Sequence, residues 1–237
     1  MKYEIIGGQL PAVVCKLDRG EKMFTESGGM CWMEEGFSMD SNTRGGLLKG
    51  LGRAMSGESI FLTTYTSSHD HAEIAFGSSF PGKILPVTLH DGKTLIVQKN
   101  AFLAAEDGVN LQAHFRKKLG TGFFGGEGFV LQKLTGNGTA FLEIDGDIIE
   151  KTLAPGETLQ VDQGYIAGFE ESVHFDITTV KGLKNKFFSG EGMFLATLSG
   201  PGKIWLQTMP FSVLADRVIF WCLKINQTPS HMLHKSV

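Results

Sequence analysis

Three glutamates are the first residues whose spacing suggests chemistry, because each follows a glycine and opens the same kind of apolar run. The three pairs are Gly57-Glu58, Gly126-Glu127 and Gly190-Glu191, and their glutamates are almost evenly spaced along the chain. Three carboxylates brought together around a pseudo-threefold axis would suit a cation or an amine. Each glutamate would equally close its own turn by accepting backbone N–H bonds. We favour this second interpretation, because the motifs of a repeat usually serve the repeat itself.

A second cluster, His69-Asp70-His71-Ala72-Glu73, has a His-x-His pattern like that of the cupins, whose double-stranded β-helix is a related fold. One residue separates His71 from Glu73, whereas the cupin spacing needs three or four. The later histidines do not fall at a position equivalent to the final cupin ligand; they are His90, His114 and His174. A catalytic zinc ion needs three well-spaced protein ligands. We therefore predict a solvated loop between two strands, and no metal site. A cupin-like metal-dependent enzyme using His69 and His71 is the alternative.

Other catalytic signatures are absent from the sequence, which contains no Gly-x-Ser-x-Gly motif and no local signature around its three cysteines. The glycine-rich stretches 45–57 and 120–128 lack the Lys-Ser/Thr ending of a phosphate-binding loop. Arg116-Lys117-Lys118 is a short basic run that predicts a solvated loop, and the net charge is −3. We therefore expect no catalytic residue and no cofactor, and this charge disfavours a nucleic-acid partner.

The elements that would position these residues also recur three times. Each copy of the second motif has the form Leu-x-x-Gly; the copies are Leu17–Gly20, Leu89–Gly92 and Leu153–Gly156, and their spacing is close to that of the Gly-Glu pairs. Two motifs in phase predict three fused units, near residues 1–70, 71–137 and 138–210, followed by a tail over 211–237. The glycine of each motif predicts a tight turn with a backbone angle that other residues resist. The alternation that follows, as in Leu95–Gln98, predicts a half-buried strand.

Composition agrees with an all-β fold, since the chain holds 31 glycines and 18 phenylalanines with 42% apolar residues. Asp145-Gly146 between alternating runs predicts a hairpin. The first unit is expected to differ from the others: its partner strand, 83–85, comes only after an insert over 66–81. A single short helix is predicted over 211–217, because Pro210 suits a helix start.

The environment follows from what the chain lacks. The N-terminal residues do not form a signal peptide, and the three cysteines have no CxxC spacing, which indicates a reducing compartment. The longest apolar run, Val218–Leu223, is far shorter than the ~20 residues that span a bilayer. We therefore predict a cytoplasmic protein without a transmembrane segment. The exposed edges of β repeats and this apolar run predict a homo-oligomer.

Three segments resemble one known family: Arg44-Gly45-Gly46-Leu47-Leu48, Phe123–Phe129 and Leu206–Ser212. This is the bacterial family related to the altered-inheritance-of-mitochondria protein 24, and the resemblance runs from about residue 3 to Arg217. It implies a TRAP-like body, that is, tandem β-barrel or sandwich repeats of the kind found in the tryptophan RNA-binding attenuation protein. The resemblance supplies no activity, so no catalytic residue is carried over. The function expected is a non-enzymatic oligomeric scaffold or a ligand-binding module whose ligand is unknown.

Overall fold

The computed structural model describes residues 1–26, 28–42, 62–90, 92–117, 129–179 and 194–226. These residues form an all-β body with one C-terminal helix, α1 (Phe211–Asn226). The strands are β1 (Lys2–Ile6), β2 (Ala12–Leu17), β3 (Lys22–Glu26), β4 (Met30–Met33), β5 (Phe37–Asn42), β6 (Leu62–Ser67), β7 (Ala72–Gly77), β8 (Gly82–Leu89), β9 (Leu95–Gln98), β10 (Phe102–Glu106), β11 (Val109–Lys117), β12 (Phe129–Gly136), β13 (Gly138–Asp145), β14 (Ile148–Leu153), β15 (Thr158–Asp162), β16 (Ile166–Glu170), β17 (His174–Thr179), β18 (Phe194–Ser199) and β19 (Gly202–Gln207).

The described strands assemble into four sheets whose neighbouring strands are all antiparallel. The first outer sheet has the order β1-β2-β7-β4, and the second outer sheet has the order β15-β18-β17. Between them lie two six-stranded sheets, β5-β6-β3-β10-β13-β8 and β11-β12-β9-β16-β19-β14. Each inner sheet therefore combines strands from two distant parts of the chain.

Three apolar cores fill the spaces between the four layers. Met23, Phe76 and Phe141 belong to the core between the first outer sheet and the first inner sheet. The middle core joins the two inner sheets and includes Phe24 and Trp205, and the last core lies against the second outer sheet. An inner strand such as β9 has all four residues buried, because both faces of its sheet pack against a neighbouring layer.

Corresponding strand pairs recur at the spacings of the Leu-x-x-Gly motifs. The residue that opens each motif pairs with the start of a later strand, as in Leu17↔Ala72, Leu89↔Gly138 and Leu153↔Gly202. The strand after each motif pairs equivalently, as in Met23↔Tyr65, Leu95↔Leu134 and Leu159↔Leu198. A one-residue shift of register also recurs in β4, β10 and β16, at Cys31, Leu103 and Ala167. A β-bulge kept at equivalent places usually serves the fold.

The predicted Leu-x-x-Gly turns are confirmed. Gly20, Gly92 and Gly156 have φ angles of +83°, +79° and +79°. In each turn the following N–H donates to the carbonyl three residues earlier, for example from Glu157 to Ala154 at 3.0 Å. A positive φ at the third position with this bond defines a type II turn, which favours glycine there.

The predicted Asp145-Gly146 hairpin is wrong. Gly146 does turn the chain, with a φ of +79°. However, β13 pairs with β8 and β10, whereas β14 pairs with β19 in the next sheet. The turn therefore carries the chain from one layer to another. Two backbone hydrogen bonds to neighbouring segments hold this turn. The Gly146 N–H donates to the Pro81 carbonyl, and the Met209 N–H donates to the Asp145 carbonyl.

Three further expectations need correction. The insert predicted over 66–81 contains β7 and the end of β6, so the first part of the chain has the same strands as the others. Arg116 and Lys117 lie at the end of strand β11 and pair with β12. The first two residues of the basic run therefore belong to a strand and not to a loop. Helix α1 begins at Phe211 as predicted but continues to Asn226, because the apolar run that follows Arg217 extends it.

Candidate functional site

The three Gly-Glu pairs lie outside the described residues, so their interpretation as turns or as a site stays a prediction. These residues are Gly57, Glu58, Gly126, Glu127, Gly190 and Glu191.

The His69–His71 segment forms the turn between β6 and β7. His71 has a φ of +61°, and its Nδ1 lies 3.1 Å from the Asp18 carboxylate, with both side chains largely exposed. The Arg19 N–H donates to Asp70 Oδ1 at 2.9 Å. These contacts brace the segment against the first Leu-x-x-Gly turn. Among the described residues, no group of three or more His, Cys, Asp or Glu side chains could hold a metal ion.

A cleft of about 440 Å³ lies beside the junction at which β3 pairs with β10. Phe80, Phe102 and Phe211 contribute aromatic rings to its lining, and Phe80 and Phe211 pack edge to face with centroids 5.5 Å apart. The charged residues of the lining are Glu26, Glu143, Asp145 and Lys99. Pockets of this size, with a few converging polar groups, are where small ligands usually bind.

Asp145 is the acidic residue of this cleft whose environment is most unusual. Burial raises the pKa of its carboxyl from 3.8 to about 6, and the neighbouring Glu143 adds to the rise. The Phe211 N–H donates to Asp145 Oδ2 at 2.7 Å, which favours the ionised form and limits the rise. The same bond holds the start of α1 over the cleft. A perturbed carboxyl inside a pocket is a physical indication of a binding site.

Glu143 is held in place by the segment that connects β7 to β8. Its Oε2 accepts bonds from the Ser79 N–H at 2.7 Å and from the Ser78 hydroxyl at 3.1 Å. Glu26 is held from the opposite side, since Gln132 Nε2 donates to its Oε1 at 2.6 Å. Gln132 is buried, and its own amide oxygen has no partner in the described part of the chain. The carboxylates are therefore positioned before any ligand arrives.

The corresponding junction of β9 with β16 carries uncharged residues in place of the three acidic ones. When the sequence is aligned with itself on the Leu-x-x-Gly motifs, Glu26 corresponds to Gln98, Glu143 to Gln207 and Asp145 to Met209. Gln207 Nε2 donates to the Gly164 carbonyl at 2.8 Å, and this contact is buried. Uncharged side chains thus occupy the second junction, where the buried Gln163 Oε1 has no partner in the described part of the chain. Charged residues line the cleft at the first junction. This difference indicates that the charges are not required to join the strands.

Sequence reasoning missed this cleft and also missed a repeated glutamate. Glu34, Glu106 and Glu170 each stand at the same position relative to the glycine of a Leu-x-x-Gly motif. Each accepts a backbone N–H from a neighbouring strand: from Glu73 at 2.9 Å, from Thr139 at 2.5 Å and from Lys203 at 2.9 Å. The constant distance from each motif glycine to its glutamate can be read from the sequence. It was overlooked because these glutamates do not follow a glycine, as the glutamates of the Gly-Glu pairs do. These glutamates connect neighbouring strands, and none of them lines the cleft at the junction of β3 and β10.

The Leu-x-x-Gly turns, the equivalent pairings and all the lining residues of the cleft except Phe211 lie within residues 3–209. This segment matches one protein family, the mitochondrial biogenesis AIM24 family. The chain belongs to this family. An uncharacterized protein of Streptococcus pyogenes serotype M6 is 29% identical over 209 residues, covering 85% of this chain and 82% of that protein.

A crystal structure from Streptococcus pyogenes shows the same fold. It superposes with a TM-score of 0.76 at 26% identity and covers 93% of this chain and 99% of the solved one. The family match confirms the resemblance drawn from the three sequence motifs. In the described residues of this AIM24 family member, no helix has the length and apolar character needed to cross a membrane.

Proposed function

We propose that this AIM24 family member is a non-enzymatic scaffold that binds a small organic cation in the cleft at the junction of β3 and β10. The observation that carries the proposal is the cleft itself, which combines three carboxylates with three aromatic rings. Three acidic residues and one basic residue, Lys99, line the cleft, so acidic residues are in excess in the lining. A ligand with an ammonium group and an apolar body matches both parts of the lining.

The charge state of Asp145 sets a condition for this binding. At pH 7 a carboxyl with a pKa of about 6 is mostly ionised and attracts an ammonium group. A bound cation would in turn lower the pKa of Asp145, because it favours the charged form. Binding should therefore weaken as the pH falls below 6.

A matched pair of probes tests this proposal. 2-Phenylethylamine and 3-phenylpropanoate have similar size and the same ring but opposite charge. We expect the amine to raise the melting temperature at pH 7 and the carboxylate to have no effect. Asp145→Asn should reduce the effect of the amine, because Asn keeps an oxygen for the Phe211 N–H but carries no charge. Equal effects of both probes, or an undiminished effect in Asp145→Asn, would overturn the proposal.

The scaffold part of the proposal concerns three fused units. The recurring strand pairs support units built from β2–β7, β8–β13 and β14–β19, which continue one another through the inner sheets. We also propose that the protein self-associates. One support is the edges of the outer sheets, which no other described strand covers. The other is the exposed apolar residues of α1, where Phe220 and Trp221 are 62% and 60% exposed.

Light scattering on the full chain at micromolar concentration tests self-association. A mass of two or more chains is expected, and a monomer would refute this part of the proposal. The measurement is independent of the amine experiment, so each part of the proposal stands or falls separately.

A further inference from the structure

Each inner sheet is made of two three-stranded halves that meet edge to edge. In the first inner sheet β3 pairs with β10, and in the second inner sheet β9 pairs with β16. The two junctions have the same register, since Glu106 is opposite Met23 in the first and Glu170 is opposite Leu95 in the second. The chain therefore makes one kind of strand junction twice.

The two outer sheets correspond to the two halves of an inner sheet, except that β1 adds a fourth strand to the first outer sheet. β4 corresponds to β10 and β16, and it ends the first outer sheet, where it pairs with β7 alone among the described strands. β15 corresponds to β3 and β9, and within the described residues it pairs only with β18. The strands that correspond to β4 and β15 in the inner sheets have a hydrogen-bonded neighbour on both sides.

Exposure follows this difference. Trp32 of β4 is 44% exposed, whereas Ala104, at the corresponding place in β10, is 0% exposed. In β15, Gln160 is exposed, while the corresponding Phe24 and Ile96 are fully buried. Among the described strands, the two outer sheets thus each end in the type of edge that is paired in the inner sheets.

The backbone groups of β15 point the right way for a new junction. The Gly200 N–H donates to the Glu157 carbonyl at 2.9 Å, so the backbone groups of alternate residues 157, 159 and 161 face β18. The N–H and C=O of Gln160 therefore face the open edge. At the first inner junction the Asp107 N–H donates to the Lys22 carbonyl at 3.1 Å, which makes Ala105 and Phe24 a hydrogen-bonded pair.

We infer that β15 of one chain pairs antiparallel with β4 of a second copy, which joins the two outer sheets into one seven-stranded sheet of the order β17-β18-β15-β4-β7-β2-β1. This inference rests on the self-association proposed above and names its surface. The inner junctions set the register, with Met33 opposite Gln160 as the hydrogen-bonded pair and Trp32 opposite Val161 as the non-hydrogen-bonded pair. The contact is head to tail, so it builds a ring or a filament of chains.

A second copy is the required partner, because a chain cannot make this contact with itself. β4 and β15 lie in the first and last of four stacked layers. Sheets stack about 10 Å apart, so roughly 30 Å separates the two edges. Backbone hydrogen bonds need the strands to be about 5 Å apart.

Disulfide trapping tests the partner and the register together. Trp32→Cys and Val161→Cys are prepared as separate proteins, each also carrying Cys31→Ser and Cys222→Ser to remove the exposed thiols. Non-hydrogen-bonded pairs in antiparallel strands have Cα atoms about 4.5 Å apart, within the range of a disulfide. The mixture should form a covalent dimer in a glutathione redox buffer, and neither protein should form one alone. Thr158→Cys replaces Val161→Cys in the control mixture, and it should not cross-link because it is three residues out of register.

A second pair of variants tests the backbone contact. Gln160→Pro removes the N–H that faces the open edge, and Gln160→Thr keeps it. We expect the proline variant to raise the dissociation constant of self-association about tenfold, the effect of one lost hydrogen bond, while the threonine variant matches the wild type.

The outcomes separate the two ideas. An oligomer by light scattering with no cross-link in the Trp32→Cys and Val161→Cys mixture would overturn the inference and leave self-association in place. A disulfide within one monomeric chain that carries both cysteines would also overturn it. A monomeric wild type would instead remove the proposed self-association, and the inference with it.

Discussion

Gly156 holds its turn through backbone conformation alone, since its φ is +79° and nothing lies within 4 Å of the place where a Cβ would stand. We therefore expect Gly156→Ala to lower the free energy of unfolding by about 1 kcal/mol through backbone strain. Urea denaturation measures this change. Gly8→Ala is the control, because Gly8 is equally open and lacks the positive φ. Equal stabilities of the two variants would show that the turn tolerates a side chain.

Asp145 should make stability depend on pH in a defined window. Its pKa is raised in the folded protein from 3.8 to about 6, so the native state holds a proton that the unfolded state has lost between these values. Stability from this group is therefore present below pH 4 and is lost as the pH rises to about 6. Asp145→Asn should gain stability relative to the wild type across this window and then keep a constant difference.

Chemical denaturation of both proteins between pH 4 and pH 7 measures this difference. Asp147→Asn is a suitable control, because its side chain is 76% exposed and sits two residues away. A difference between wild type and Asp145→Asn that stays flat across the window would contradict the assignment of burial as the cause.

At the scale of elements, the repeated glutamates connect neighbouring strands of a sheet. Glu170 accepts the Lys203 N–H at 2.9 Å, and the next residue, Glu171, makes a surface ion pair with Lys133. Glu170→Ala should cost about 1–3 kcal/mol, because it leaves a partly buried N–H without its acceptor. Glu171→Ala should cost less than about 1 kcal/mol, as exposed ion pairs do. Thermal unfolding of the two variants compares their losses of stability directly. Equal losses would show that Glu170 contributes no more than an exposed ion pair does.

Elements also show what could be predicted from the sequence. The Leu-x-x-Gly turns were predictable, because a type II turn depends on four consecutive residues and on the freedom of one glycine. The Asp145-Gly146 turn was misjudged for a related reason: its local residues define a turn, but its strands find their partners elsewhere. β14 pairs with β19, several strands later in the chain, and no local pattern encodes that choice.

The cleft could not be predicted from the sequence, again because strand partners that are distant along the chain decide it. One of its acidic residues, Glu26, lies far along the chain from Glu143 and Asp145, and they meet only because β3 pairs with β10. Once the sequence is aligned with itself on the Leu-x-x-Gly motifs, the corresponding amides Gln98 and Gln207 can be read from it. That comparison needs the register of the strands, which the structure supplies.

At the scale of the whole molecule, shared sheets should make the three cores unfold together. Each inner sheet takes strands from two parts of the chain, so no core can lose its strands without breaking a sheet that lines the next one. Leu17 lies in the first core and Leu198 in the last, and both side chains are fully buried. Leu17→Ala and Leu198→Ala should each cost about 2–5 kcal/mol.

Trp205 provides a probe of the middle core, whereas the two substituted leucines lie in the first and last cores. It is 6% exposed, whereas Trp32 and Trp221 are exposed, so Trp32→Phe and Trp221→Phe leave a single buried reporter. In that background each leucine variant should lower the Trp205 fluorescence midpoint as much as the circular-dichroism midpoint, in one transition. If the units instead behave as independent repeats, far-UV circular dichroism would show an early partial transition while Trp205 keeps its wild-type midpoint.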